Sequence, residues 1–487
     1  MNHMAKILSG LQPASVFEYF EAISEIPRGS GDEERLSNYI KQFAEDLGLW
    51  VHQDQDFNLI IKKPASPGYE KAPAVILQGH MDMVCEKRED VVHDFTKDPI
   101  RLIVDGDNIK ADGTTLGADN GIAVAYIMAV LADKTLRHPA IEGLITTSEE
   151  VGMVGAEKLD GSLLSGKMLI NMDVENEGEI FTSCAGGVRA KIQVDIKREK
   201  AQEGMTACEI KLTGLKGGHS GMEIDKKRGN ANKLLGRVLY DISKSTGAQL
   251  SSIGGGAKMN AIPRDSRAIV LVEKSKLQEL GRAISSWEKV FQKELSAADP
   301  NLKLELHQVE GEFDIICPRD AERVISMLVM LPNGVMTMSQ EMEGLVESSS
   351  NIGILTTSEA YVEFDSAVRS NIKSQKLSIV AQMECMCKAL GARLELEADY
   401  PEWEYSKDSY IRDVFMAVYE KKYGKKPLIT AVHCGLECGI FKEVIGDIDI
   451  VAFGPDVHDV HTPDEHMSIS SIKRTWEYLL DVLESIK

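Results

Sequence analysis

The chain has 487 residues, 43% hydrophobic and 27% charged, enough apolar mass for a large core and incompatible with a disordered chain. At about 150 residues per domain, this length fits roughly three domains, or one large domain carrying an insertion. Acids outnumber bases 76 to 55, a formal net charge of −21 spread along the chain, so no basic face is offered to nucleic acid or to an anionic membrane.

The first stretch alternates helices with apolar strands. Residues Ala14 to Ile26 and Asp32 to Leu47 have helical periodicity with charged outer faces. Short apolar runs follow: AVILQGHMD (Ala74 to Asp82), IEGLITTSEE (Ile141 to Glu150) and KMLINMD (Lys167 to Asp173). Between the first two lies GIAVAYIMAVLAD (Gly121 to Asp133), apolar nearly all round and therefore a buried helix. Strand, helix, strand at this spacing predicts a mostly parallel sheet covered by helices.

From about Gly186 the texture changes to strands that alternate apolar and polar residues, as antiparallel strands buried on one face do. Up to about residue 400 the pattern predicts strands, a helix (Asn230 to Ser245), two strands, a helix (Lys276 to Ala297) and a strand. A second run follows, with a helix (Ala321 to Met330), two strands (Glu347 to Leu355, Glu359 to Val368), a helix (Ser374 to Leu390) and a strand (Arg393 to Ala398). The Gly254-Gly255-Gly256 run lacks the strand-loop-helix setting of a phosphate cradle and reads as a flexible turn. From about Tyr410 the first texture returns, with the apolar strand IDIVAFGP (Ile448 to Pro455) and a final helix. The expected fold is α/β: a discontinuous domain, 1–185 with 401–487, and an α+β domain inserted at 186–400 as two similar halves.

Chemistry-bearing residues stand where the predicted strands end. His80 and Asp82 close the first run, Glu149 and Glu150 the second and Asp173 the third; His461 lies in the loop after the fourth, and Asp119 opens the buried helix. Ligands gather outside the carboxyl ends of strands in open α/β sheets, so these groups are placed to converge. Two imidazoles and several carboxylates suit zinc or a similar divalent metal. Taken singly, each has a structural reading: His80 can bond a carbonyl, Asp119 can cap its helix, and Glu149 and Glu150 can be solvated loop acids. Coincidence at every strand end is improbable. His458 and His466, which flank His461, read as surface histidines.

The blocks GHMDMV, DGTTLGADNGIAVA, TTSEEVGMVGA, NMDVENEGEIF and HTPDE resemble the signatures of the co-catalytic dinuclear-zinc dipeptidase, aminoacylase and deacylase family. HCGLECGIF and FGPDVHDVHTPDEHMSI resemble its branch that cleaves aminoacyl-histidine dipeptides. The resemblance implies a zinc-exopeptidase-like catalytic domain with an inserted lid of two ferredoxin-like halves. It implies two divalent ions per subunit, zinc first, with cobalt or manganese as alternatives. Asp119 would bridge them, His80 and Asp173 completing one site, Glu150 and His461 the other. Asp82 would orient His80, and Glu149 would act as general base on a water activated between the cations. Position alone leaves Glu149 and Glu150 interchangeable; the assignment is the family's.

In the inserted domain, His219 of GLKGGHSG resembles the lid histidine that stabilises the oxyanion, and Asn260 and Arg369 resemble lid residues that hold the substrate backbone or carboxylate. Glu437 either pairs with the substrate's ammonium or is a structural loop acid. The implied function is hydrolysis of unblocked dipeptides, preferentially aminoacyl-histidine, by a homodimer. The alternatives are a deacylase of N-acyl amino acids and an inactive binding protein. The first is disfavoured by Asp173, where deacylases usually carry Glu, and the second by the intact ligand set. No apolar run approaches the ~18 residues of a membrane span, MNHMAKILSGLQ lacks a signal-peptide core, and eight sparse cysteines without a C-x-x-C pair predict free thiols in the cytoplasm.

Overall fold

The structure, a computed structural model, describes residues 7–487. The chain divides into two compact units, Met1–Ser183 with Tyr405–Ala431 and Leu436–Lys487, and Cys184–Glu404 with Val432–Gly435. The first three residues of the HCGLECG segment, with Val432 before them, thus belong with the second unit, while Glu437 belongs with the first.

The first unit is built on an eight-stranded sheet. Its four central strands, in the order Ile141–Thr146, Val75–His80, Met168–Asn171 and Asp449–Ala452, are parallel, and antiparallel strands extend it on both sides. Their residues are buried almost without exception, which is why they read as continuous apolar runs rather than as alternation. The hydrogen-bond ladder continues past the strand ends: Met81 donates to Thr146 O, Met172 to Gln78 O and Phe453 to Asn171 O. Three chain segments therefore leave the sheet together, and they carry His80, Glu149 with Glu150, and Asp173.

The helix Ala118–Ala132 is buried along nearly its whole length and packs on the strand Val75–His80 and on the helix Ala14–Ser24. Close approach at this contact requires glycine at position 79. A Cβ there would lie 2.5 Å from Ala123 Cβ and 2.5 Å from Asn120 Oδ1. A ring cluster of Phe415, Phe453 and Tyr478, in edge-on contact at 5.0 to 5.8 Å, closes the core beneath the last helix, Ile469–Ser485.

The second unit carries a nine-stranded sheet: two βαββαβ halves supply eight strands, and Gly334–Met338 pairs alongside Val346–Thr357 as the ninth. The halves are nested, not consecutive. The strand Gly186–Asp195 pairs with Tyr361–Ser370 and Arg393–Tyr400, so it opens the second half, and the whole first half is inserted behind it. Each half has the 4-1-3-2 strand order of a ferredoxin-like fold. They join through a single pair, Gly255 with Leu355. The glycine run is thus a strand end at this seam, not a flexible turn: a Cβ at Gly256 would fall 1.8 Å from Gly353 O.

A methyl at the helix–sheet contact should be felt at once. Gly79→Ala is expected to cost about 1–3 kcal/mol by overpacking, read as a lower urea midpoint at an unchanged m-value.

Candidate metal centre

His80 is buried at the end of its strand, and both ring nitrogens are engaged. Its Nδ1 lies 3.3 Å from Asp82 Oδ1, and its Nε2 lies 3.1 Å from Asp119 Oδ1 and 3.6 Å from Asp173 Oδ1. The second carboxylate oxygen of Asp119, Oδ2, lies 3.2 Å from His461 Nε2, which is also 3.0 Å from Glu150 Oε2. Asp119 therefore presents one oxygen to each imidazole. Ligand atoms of His80, Asp119 and Asp173, of His80, Glu149 and Glu150, and of Asp119, Glu150 and His461 form three sets, each within 4.8 Å.

Asp82 does more than orient His80. The backbone N–H groups of Glu149 and Glu150 donate to its two oxygens at 3.1 and 3.2 Å, and Ser30 Oγ adds a third donor at 2.8 Å. One buried carboxylate thus fixes the histidine and the turn that carries both glutamates. Ser148, which starts that turn, has a left-handed φ of 54° and is held there through its N–H and Oγ by the buried Glu33.

The two glutamates are not equivalent. Glu150 contacts His461 at 3.0 Å, whereas Glu149 comes no nearer an imidazole than 4.0 Å, at His80 Nε2.

Burial disfavours charge on His80, but Asp173, Asp119 and Asp82 outweigh it and raise its pKa well above the ordinary value. Hydrogen bonds to Asp119 and Glu150 push His461 up to about 11. Burial raises Asp173 to about 6, and burial first, then the charges of Asp173 and its neighbours, raises Glu149 well above the carboxylate range. Burial works against ionised Asp119, yet hydrogen bonds from His461 and His80 hold its pKa below the usual range. This is the field a divalent cation would meet. Mixed nitrogen and oxygen donors, one carboxylate facing two ways, and excess negative charge fit a pair of such ions. His80, Asp119 and Asp173 would hold one, and Asp119, Glu150 and His461 the other.

One partner of this site, Asn120, is not singled out by the sequence. Asn120 accepts from His80 N–H at 3.2 Å and donates to Met172 O at 2.8 Å, tying two strand ends together. Glu437 is 1% exposed; its Oε2 accepts from Gln78 at 2.6 Å and Thr146 at 2.8 Å, while Oε1 has no partner among the described residues. Burial raises Glu437 to about 8. His458 and His466 sit opposite each other on a short ribbon, outside the donor sets.

His219, Asn260 and Arg369 belong to the second unit. His219 pairs with Ala261, and Asn260 O accepts from Ser220 N–H at 2.8 Å. Gly221 and Met222 donate backbone N–H groups to His219 Nδ1 at 3.3 and 3.1 Å, which places the ring hydrogen on Nε2. Burial and the charge of Arg369 lower the His219 pKa, so the ring is a neutral donor. Arg369 donates to Tyr400 Oη at 2.7 Å. His433, bonded to Ser349 and Asn371, is lowered to about 3 by burial and by Arg369.

Residues 76–485 match the Peptidase family M20/M25/M40, and the chain belongs to that family. Over 479 residues it is 39% identical to the cytosol non-specific dipeptidase of Escherichia coli, covering 98% of this chain and 99% of that protein. It superposes on the crystal structure of the aminoacylhistidine dipeptidase of Vibrio alginolyticus with a TM-score of 0.93 at 40% identity, over 100% of this chain and 99% of that one. Aminopeptidase PepT of Bacillus cereus shares the fold at a TM-score of 0.57 and 17% identity, over 98% and 99% of the two chains.

His433 gives a pH prediction. Its folded pKa lies below the unfolded value, so the unfolded chain binds the extra proton between about pH 3 and 6.5, and stability falls as pH drops through that window. Going from pH 7 to pH 4 should cost the wild type about 3 kcal/mol from this group alone. Urea denaturation at both pH values should show a shallower loss for His433→Gln.

Proposed function

We propose that the chain is a metal-dependent dipeptidase that hydrolyses unblocked dipeptides, aminoacyl-histidine first among them. The observation that carries this reading is the Asp119 carboxylate shared between His80 with Asp173 and His461 with Glu150. The similarity to two dipeptidases over essentially the whole chain supports it. The histidine preference rests on the blocks HCGLECGIF and FGPDVHDVHTPDEHMSI, which resemble the aminoacyl-histidine branch, and on the name of the Vibrio relative.

The unit that contains the donor cluster, corresponding to 1–185 and 401–487, is assigned as the catalytic domain, and 186–400 as the lid. Two divalent cations, zinc by preference, would polarise the scissile carbonyl and acidify the attacking water. Glu149, free of the close imidazole contact that occupies Glu150, takes the proton of that water on a carboxylate oxygen and passes it to the leaving nitrogen. Asp82 holds His80 by Nδ1 and the glutamate turn by its backbone, so both face the reaction from fixed positions. His219, with its hydrogen on Nε2, is suited to donate to an oxyanion and cannot serve as a base through that nitrogen.

Arg369 is assigned to the substrate carboxylate and Asn260 to its backbone. The unpartnered Oε1 of Glu437 is assigned to the ammonium. A charged donor satisfies a buried carboxylate oxygen that has no other, which favours a free amino terminus over an acylated one. The deacylase alternative offers that oxygen nothing. The E. coli relative is named a cytosolic enzyme, and no helix among the described residues is long and apolar enough to cross a membrane. We assign this chain to the cytoplasm and, on family resemblance, to a homodimer.

Base and ligand separate by substitution. Glu149→Gln should keep both metals and lose at least ~10²-fold in kcat, the scale of a general base, while Glu150→Gln should lose metal. Metal content and turnover of the two proteins decide it; metal loss at Glu149 alone would exchange the assignments.

Substrate class is read from kcat/KM. Unblocked Xaa-His dipeptides should be cleaved much faster than their N-acetylated or C-amidated forms. Faster hydrolysis of N-acetyl amino acids than of any free dipeptide would establish the deacylase instead.

A further inference from the structure

Glu465 lies four residues after His461 and is 2% exposed. Its carboxylate accepts four consecutive backbone N–H groups. Oε2 takes those of Leu116 and Gly117 at 2.7 and 2.9 Å, and Oε1 those of Ala118 and Asp119 at 2.8 and 3.2 Å. These amides face the start of the helix Ala118–Ala132, where no earlier carbonyl of the helix is available to them. The segment they belong to is irregular: Gly117 has a left-handed φ of 70°, and Asp119 has extended ψ of 108° inside the helix. Regular helical bonding therefore does not fix the bridging carboxylate, and the Glu465 carboxylate supplies the missing constraint.

Glu465 is itself anchored. Its N–H donates to Thr462 O, and the next residues pair with the strand Asn108–Ala111, His466 with Lys110 and Met467 with Ile109. From the other side, the fully buried Arg28 donates from Nη2 to Gly117 O at 2.5 Å and from Nη1 to Met81 O at 2.9 Å. The segments bearing His80, Asp119 and His461 are thus tied through one turn, residues 116–119, with a buried anion on its amides and a buried cation on its carbonyl.

We propose that Glu465 is a positioning residue that sets the spacing between the two metal sites, by clamping the backbone of Asp119 to the loop that carries His461. This rests on Asp119 bridging two cations. Without the clamp, His80 and Asp173 keep their own supports, whereas Asp119 loses its fixed register with His461 and Glu150. The loss falls mainly on the second cation, where the clamp fixes two ligands, Asp119 and His461, against one, Asp119, at the first.

Glu465→Gln keeps the shape but turns an amide donor towards backbone donors, so two of the four bonds fail. Glu142→Gln is the matched control. Glu142 is also 2% exposed and accepts backbone N–H groups from Ser165 and Gly166, at the opposite end of the strand Ile141–Thr146 from the glutamate turn. Zinc titration of each protein against a chromophoric chelator, with melting temperatures taken without metal, separates positioning from stability. Both variants should melt earlier than wild type; Glu465→Gln alone should bind its second zinc 10–100-fold more weakly, the range for an outer partner of a metal site. Equal second-site affinity in the two variants overturns the proposal. If Glu465→Gln does not fold, Glu465→Asp, which keeps the charge and shortens the reach, is read in the same way: a weakened second site supports the clamp and a wild-type one overturns it. A wild-type protein that binds no pair of cations would instead overturn the proposed function.

Discussion

Six carboxylates, Asp82, Asp119, Glu149, Glu150, Asp173 and Glu437, gather where parallel strands end level with one another, with the imidazoles of His80 and His461 among them. Like charges at such distances, removed from water, cannot all be ionised without compensation. The surroundings express this: Asp173, Glu149 and Glu437 are pushed towards protonation, and both imidazoles are held towards their charged forms. A site that shifts so many groups in the direction of neutrality is stable as a place for divalent cations. The fully buried helix, the glycine at position 79 and the Asp82 hydrogen bonds are the means by which the sheet holds these charges at close quarters.

Fold class and the order of most elements are legible because the first unit's strands are buried on both faces and the second unit's on one, which leaves two different hydrophobic textures. The nesting of the two ferredoxin-like halves is not legible. The strand Gly186–Asp195 has the same alternating pattern as its neighbours, and only pairing to residues more than 160 positions later assigns it to the second half. Likewise, three adjacent glycines look like a turn in sequence. In the fold they end a strand at the seam, and at Gly256 two backbones meet too closely for a side chain.

The candidate metal donors are visible because strand ends and a helix start are local features that periodicity reveals. Apart from Asp82, which the family resemblance names, their supports are not. Glu465 bonds amides nearly 350 positions earlier in the chain, and Arg28 reaches carbonyls 53 and 89 positions away, so neither stands at a place its own neighbourhood marks. The distinction between Glu149 and Glu150 is of the same kind: adjacent, chemically identical residues differ only in which one turns to His461.

The central claim is that one carboxylate, Asp119, joins two cations. Electron paramagnetic resonance of the protein reconstituted with two equivalents of manganese(II) tests it most directly. A shared carboxylate predicts the broad signal of an exchange-coupled pair, lost in Asp119→Ala. Two isolated six-line spectra in the wild-type protein would contradict it.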